Sequence, residues 1–316
     1  MTALRLGDRI VLESDAVAAP LAGYSDAGFR HVCALRGAGL TYTEMISAKG
    51  LVYGSGKTKE LLYTTPQERY TAVQIFGSEP YFMQAAAEHE ALEKFDVIDI
   101  NMGCPVPKIV NNGEGSALLL DPRKAQAVVA ATCKAGKPVT VKMRIGFDPA
   151  HEIDAAEFAL RMQDAGACAI TVHGRTRAQM YAGKADRQQI ARVCRAVTIP
   201  VIANGDVTDV ASYRAMLEET GAQGVMIGRG AIGNPRVFAA IRGDGARYSR
   251  YDDAMTHLRV LVQFHGERYV VATFRKHFVY YCRGLRDAGA AKLRAFGCQT
   301  LAQLADCIRE TLEAEA

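Results

Sequence analysis

The chain has 316 residues, 49% of them hydrophobic and 23% charged, with a formal net charge of +4, which allows one large core or a large domain plus a small one and selects no partner class by itself. Eight cysteines show neither Cys-x-x-Cys pairing nor zinc-ligand spacing with histidine, so they read as reduced thiols, and neither a disulfide framework nor a metal site is expected. No apolar h-region opens the chain and no apolar run reaches 18 residues, so neither a signal peptide nor a membrane span is expected, and the expected location is the cytoplasm.

Apolar, β-rich runs recur at Ala16–Ala19, Thr41–Met45, Thr71–Phe76, Val97–Asn101, Val139–Arg144, Ala169–His173, Val201–Asn204 and Val225–Gly228. Helical spacing fills Tyr81–Phe95, Pro122–Ala135, Ile153–Asp164, Ala185–Ala196 and Val210–Glu219. Glycine follows several of these helices, as in Ala135-Gly136-Lys137 and Thr220-Gly221-Ala222, the usual stop signal. Strand–helix alternation over eight units predicts a (β/α)8 barrel. A doubly wound open sheet is the rival, but strand one ends in Ala19-Pro20-Leu21-Ala22-Gly23, which is not its glycine fingerprint.

In such a barrel the C-terminal strand ends build the active site. Strand one supplies Pro20, Leu21 and Ala22, small and apolar, suited to a flat ring lying close to backbone. The next ends supply Glu44, Gln74, Asn101 with Cys104, Lys142 with Arg144, and His173. Strand seven ends in Asn204, Gly205 and Asp206, and strand eight in Gly228 and Arg229. Those last two loops commonly hold a phosphate on backbone N–H groups. Lys142, midway round the ring, suits an anion that develops during reaction, as on a reduced flavin. The dull reading has Lys142 paired with Glu44. A lone histidine such as His173 more often satisfies structural hydrogen bonds.

The stretch Val97–Pro122 carries the most chemistry. A buried strand delivers Asn101, then Gly103-Cys104-Pro105 turns the chain, and a long polar loop from Pro107 to Gly115 follows like a lid. Ser116 is expected to cap a short helix that Pro122 ends or bends. A free cysteine is usually a packed core thiol, but this one sits on a strand-end turn. A thiol with an ordinary pKa of about 8.5 is a general acid without further tuning. A nucleophilic role needs a lowered pKa, with His173 the candidate base.

The segments APLAGYSDAGFR (19–30), TEMISAKGL (43–51), QIFGSEP (74–80), DINMGCPVPKIVNNGEGSALL (99–119), VKMRIGFD (141–148), HGRTRAQMYAGKAD (173–186), IPVIANGDV (199–207) and GVMIGRGAIGNP (224–235) resemble the tRNA-dihydrouridine synthases, flavoenzymes that reduce a uridine in tRNA. The resemblance implies an FMN-binding barrel over 1–243, a helical tRNA-binding domain over 244–316, and NADPH as reductant. It implies FMN contacts from Pro20, Leu21, Ala22, Gln74, Lys142, His173, Asn204, Gly205, Asp206, Gly228 and Arg229. It places Asn101 beside the uracil and makes Cys104 the proton donor to C5 as hydride reaches C6. Arg144, Arg175, Arg275 and Lys276 complete the expected substrate contacts. The chain departs from the family pattern in two places: Asn111 and Asn112 stand where a basic residue is common, and Arg187 where an aromatic is.

Beyond about Tyr248 the alternation stops, and helices are expected over Tyr251–Tyr269, Val270–Leu285 and Leu301–Leu312. Between Arg268 and Arg294 seven basic residues face one acid, Asp287, with Tyr269, Phe274, Phe278, Tyr280 and Tyr281 interleaved. Bases mixed with aromatics suit an RNA backbone and unstacked bases, although most of the aromatics are expected in a core. A monomer is expected. The competing readings are an FMN-dependent dihydroorotate or dihydropyrimidine dehydrogenase, which has no use for a basic tail, and a non-catalytic RNA-binding barrel.

Overall fold

The computed structural model describes residues 4–313. A short antiparallel hairpin, β1 (Arg5–Leu6) and β2 (Ile10–Val11), precedes the sheet. The sheet strands are β3 (Ala16–Ala18), β4 (Thr41–Tyr42), β5 (Ile46–Ser47), β6 (Thr71–Phe76), β7 (Val97–Met102), β8 (Val139–Gly146), β9 (Ala169–Thr176), β10 (Val201–Asn204) and β11 (Gly224–Ile227). They pair in parallel in the order β3-β11-β10-β9-β8-β7-β6-β4, and β5 pairs with β6 beyond β4. The expected second strand is thus two short pieces. Ala18 N–H donates to Leu40 O and Gly39 N–H to Ala16 O, both 2.9 Å, which joins β3 to the chain entering β4 and closes the barrel.

The helices over this part of the chain are α1 (Ala27–Leu35), α2 (Ala48–Val52), α3 (Gly56–Glu60), α4 (Pro80–Ala87), α5 (Pro107–Val110), α6 (Pro122–Cys133), α7 (Ala155–Asp164), α8 (Arg187–Ala196), α9 (Val210–Thr220) and α10 (Arg236–Arg242). Asp26, Asp121, Asp154, Asp186 and Asp209 each cap the helix that follows, accepting otherwise orphaned backbone N–H groups. Pro122 therefore begins a helix, as its fixed φ allows at the first helical position. Ser116 caps nothing. Its hydroxyl and its N–H both donate to Cys104 O, at 2.8 and 3.1 Å.

Period-two alternation sorts the strand side chains. Ile98, Ile100 and Met102 of β7 pack outward against the helices, as do Val139, Val141 and Met143 of β8. Inward-facing Val17, Ala72, Val97, Ala169, Ile202 and Met226 form a second cluster with Leu4, Leu6, Ile10 and Leu12. The N-terminal hairpin thus plugs the lower end of the barrel with apolar side chains.

Five further helices follow: α11 (Arg250–His265), α12 (Glu267–Thr273), α13 (Arg275–Tyr281), α14 (Ala288–Gly297) and α15 (Leu301–Leu312). The helix expected to run through Tyr269 stops at Gly266, whose φ is +76°, and α12 and α13 replace the single helix expected after it. Phe274, Phe278 and Tyr281 are core residues of this bundle, with Leu258, Leu304 and Ile308. The bundle meets the barrel along α1. Arg36 and Arg236 pair with buried Asp253. Asp26 lies 3.0 Å from His257 Nε2 and 2.7 Å from His277 Nε2.

Candidate active site

The C-terminal strand ends enclose a cavity of about 1000 Å³. Pro20, Leu21, Ala22, Gln74, Asn101, Cys104, Lys142, Arg144, His173, Asn204, Gly205, Asp206, Gly228 and Arg229 all line it. The same inward register that puts small apolar residues low in the lumen puts Gln74, Asn101, Lys142 and His173 higher up, because β6, β7, β8 and β9 lie side by side.

Cys104 is 8% exposed and its loop is tied at both faces. Asn101 Oδ1 accepts from Gly103 N–H (3.1 Å) and Cys104 N–H (2.9 Å), while Ser116 holds the Cys104 carbonyl. The stretch expected as a long polar lid contains α5, and buried Ile109 packs it down. Burial pushes the Cys104 thiol up, so it keeps its proton at neutral pH. His173 does not supply the base that a thiolate would need. Burial and the nearby Lys142, Arg144, Arg175 and Arg229 cations push its imidazole down to about 2, and Arg175 Nη1 lies 3.4 Å from its Nε2.

Lys142 does not pair with Glu44, which instead accepts from Gly23 N–H. Its amine lies 3.3 Å from Asn204 Oδ1, and Asn204 Nδ2 donates to Met226 O. Burial first and the Arg144 guanidinium second push that amine down to about 8. Arg144 donates to Gly103 O, Thr176 O and Met180 O, so it fastens the Cys104 loop to the loop after β9. Arg175 is 1% exposed and does not line the cavity. It grips both Asp206 carboxylate oxygens and the carbonyls of Ala182 and Gly183. The Asp206 side chain is therefore spent on bracing two loops. Arg275 donates to Cys298 O, away from the cavity. The Lys276 amine lies 5.7 Å from the ring centre of Tyr24, a lining residue.

Several lining residues escaped the strand-end rule. Tyr181, with the Arg229 guanidinium 4.5 Å from its ring centre, comes from the loop after β9. Arg250, Tyr280 and Arg283 arrive from the C-terminal bundle, and Arg236 from α10. Tyr181 lies within the HGRTRAQMYAGKAD segment, and the basic, aromatic composition of the tail signalled Tyr280 and Arg283.

The donor set fits a flavin mononucleotide. Among the described residues no protein acceptor takes the N–H of Gly205, Asp206, Arg229 or Gly230, which leaves four donors in adjoining loops beside the Arg229 side chain. A Cβ on Gly230 would sit 2.3 Å from Val207 O, so glycine is what lets the two loops close up. A lysine destabilised by burial and a neighbouring arginine favours an anionic partner.

A closed parallel barrel with free N–H donors after its last two strands is a (β/α)8 barrel of the kind whose strand-seven and strand-eight loops frequently hold a phosphate. The Dihydrouridine synthase (Dus) family profile matches residues 17–315, and the chain belongs to that family of oxidoreductases. It is 38% identical to a probable tRNA-dihydrouridine synthase 1 of Synechocystis sp., over 98% of this chain and 89% of that one. It is also 38% identical to tRNA-dihydrouridine synthase B of Klebsiella pneumoniae, over 85% and 87%. Histamine dehydrogenase from Rhizobium sp. 4-9 shares the fold at a TM-score of 0.59 and 12% identity, covering 77% of this chain and 48% of its own. No helix among the described residues is long and apolar enough to cross a membrane.

Proposed function

We propose that this protein reduces the C5=C6 bond of uridines in tRNA to 5,6-dihydrouridine, with FMN as its redox cofactor and NADPH as reductant. The observation that carries the reading is Cys104: a buried, protonated thiol held by Asn101 at the mouth of a cationic barrel cavity. Pro20, Leu21 and Ala22 lie along one wall where a flavin ring would rest. The N–H groups of Gly205, Asp206, Arg229 and Gly230 would hold its phosphate. Bound and reduced, FMN supplies the hydride that adds to C6 of the uracil. Lys142, which lines the cavity, would offer positive charge to the anion that the reduced ring carries. Asn101 lines the cavity beside the expected uracil and holds the turn that presents Cys104, whose Sγ would give its proton to C5. Arg144 keeps the Cys104 loop in register while this happens.

A uridine in folded tRNA must leave its stack to enter such a cavity. The rim arginines Arg250 and Arg283 suit the phosphates flanking an extruded nucleotide. We take residues 1–243 as the catalytic unit and 244–316 as the part that grips the RNA, acting as a monomer in the cytoplasm. The test is the absorption spectrum of the purified protein. Flavin absorbance that bleaches with anaerobic NADPH and returns on adding unmodified tRNA supports the reading. Return of colour with a free pyrimidine, and none with tRNA, overturns it.

A further inference from the structure

Behind Cys104 lies a chain of hydrogen bonds whose polarity is set at one end. Gly103 N–H and Cys104 N–H can only donate, so the Asn101 side chain must present its oxygen to them. Its Nδ2 then faces Gln74 Oε1 at 2.8 Å, which leaves Gln74 Nε2 facing Asp99 Oδ2 at 2.7 Å. Asp99 takes a second donor, Thr140 Oγ1, on Oδ1 at 2.6 Å. Asp99 and Thr140 are wholly buried and Gln74 is 1% exposed, so no bulk water competes for these atoms. Amide oxygens and nitrogens are ordinarily interchangeable in such networks. Here the backbone donors at residues 103 and 104 fix the Asn101 amide, and the Gln74 and Asp99 contacts follow from it in one arrangement.

We propose that Asp99 is a positioning residue for the Cys104 proton donor, acting through Gln74 and Asn101. It touches neither the thiol nor the cavity. It holds the Gln74 amide with oxygen toward Asn101, and Asn101 in turn fixes the two N–H groups that set the Cys104 turn. Without an acceptor at position 99, the buried Gln74 NH2 is left unpaired. The Gln74 amide then keeps only one of its two anchors, the bond it accepts from Asn101 Nδ2 slackens, and the hold of Asn101 on the backbone N–H groups of residues 103 and 104 loosens. The proposal rests on the proposed function for its kinetic consequence, but not for its structural one.

The test compares Asp99→Leu with Asp99→Asn in the flavin-loaded full chain. An asparagine can keep an oxygen toward Gln74 while the Thr140 hydroxyl turns to accept, whereas leucine cannot. Alkylation of Cys104 by iodoacetamide, followed by peptide mass, reads the order of the turn without any substrate. Cys104 in Asp99→Leu is expected to react about tenfold faster or more, as a locally opened site does, with Asp99→Asn near the parent. Flavin reduction by NADPH should be unchanged, while reoxidation by tRNA slows about 10- to 100-fold in Asp99→Leu alone, the cost of misplacing a reacting group by about 1 Å. Gln74→Leu cuts the chain one link later and should reproduce the alkylation result if Asp99→Leu does not fold. Unchanged Cys104 alkylation in both leucine variants, or Asp99→Asn behaving like Asp99→Leu, overturns the proposal. A parent protein that tRNA fails to reoxidise would instead overturn the proposed function and leave the alkylation result standing.

Discussion

Gly233 follows β11 and lies directly against α13, so it tests whether the cavity is built across the seam between barrel and bundle. Its φ is +71°, and a Cβ there would sit 2.4 Å from Tyr280 C, 2.5 Å from Tyr280 O and 2.7 Å from Tyr281 N. Those are backbone atoms of a packed helix, and they cannot swing aside as a side-chain tip would. Gly233→Ala therefore carries two costs. A left-handed conformation for an L-residue costs about 1–2 kcal/mol, and forcing a methyl into packed backbone about 1–3 kcal/mol, together about 2–5 kcal/mol. Gly54 is the control: its φ is +74° and a Cβ there would meet nothing within 4 Å. Gly54→Ala should show the conformational cost alone, about 1–2 kcal/mol. The assay is urea unfolding followed by circular dichroism, comparing midpoints at unchanged slope. Gly233→Ala should also disturb the site, because α13 carries Tyr280 into the cavity. Equal destabilisation by the two variants would refute the close-approach argument.

Cys104→Ala should keep its flavin and its reduction by NADPH but lose about 10²–10⁴-fold in tRNA-dependent turnover, as loss of a general acid does; rapid-mixing absorbance separates the two half-reactions, and normal turnover would remove the thiol from the mechanism. Lys142 is an ammonium below its shifted value of about 8 and a neutral amine above it. Flavin affinity, read by fluorescence quenching, should therefore fall as pH rises through 8, and Lys142→Met should be weaker throughout and lose that dependence. His257 faces Asp26, His277, Lys276 and Tyr281, and burial holds its imidazole below the ordinary value near 6.5 despite Asp26. Between its folded value and about 6.5 the unfolded chain binds the extra proton, so stability falls as pH drops below about 6.5, by at most about 1.4 kcal/mol per pH unit. His173 adds to the same slope. His257→Gln, compared with the parent by urea unfolding at pH 7 and pH 5, should reduce that slope, and an unchanged slope would assign it elsewhere.

The barrel was legible because its information is local. Val97–Met102 and Val139–Gly146 show period-two or continuously apolar runs, glycine ends α9 at Gly221, and aspartates stand at the helix starts. Once the strands are in parallel order, register alone carries Gln74, Asn101, Lys142 and His173 to one lumen, so their shared cavity also follows from sequence pattern. Partner choice is different, because it depends on which side chains meet across strands far apart in sequence. Sequence could not say that Gln74 spends both amide atoms on Asp99 and Asn101, that the Asp206 carboxylate braces Arg175, or that Glu44 serves Gly23 and leaves Lys142 alone. Nor could it bring Arg250, Tyr280 and Arg283 to the barrel mouth. That arrival depends on α11 and α13 packing on α1 through Asp26, His257 and His277, contacts separated by more than 200 residues along the chain. The lumen came from local periodicity; the wiring of the charges inside it, and the basic rim above it, came only when distant segments met.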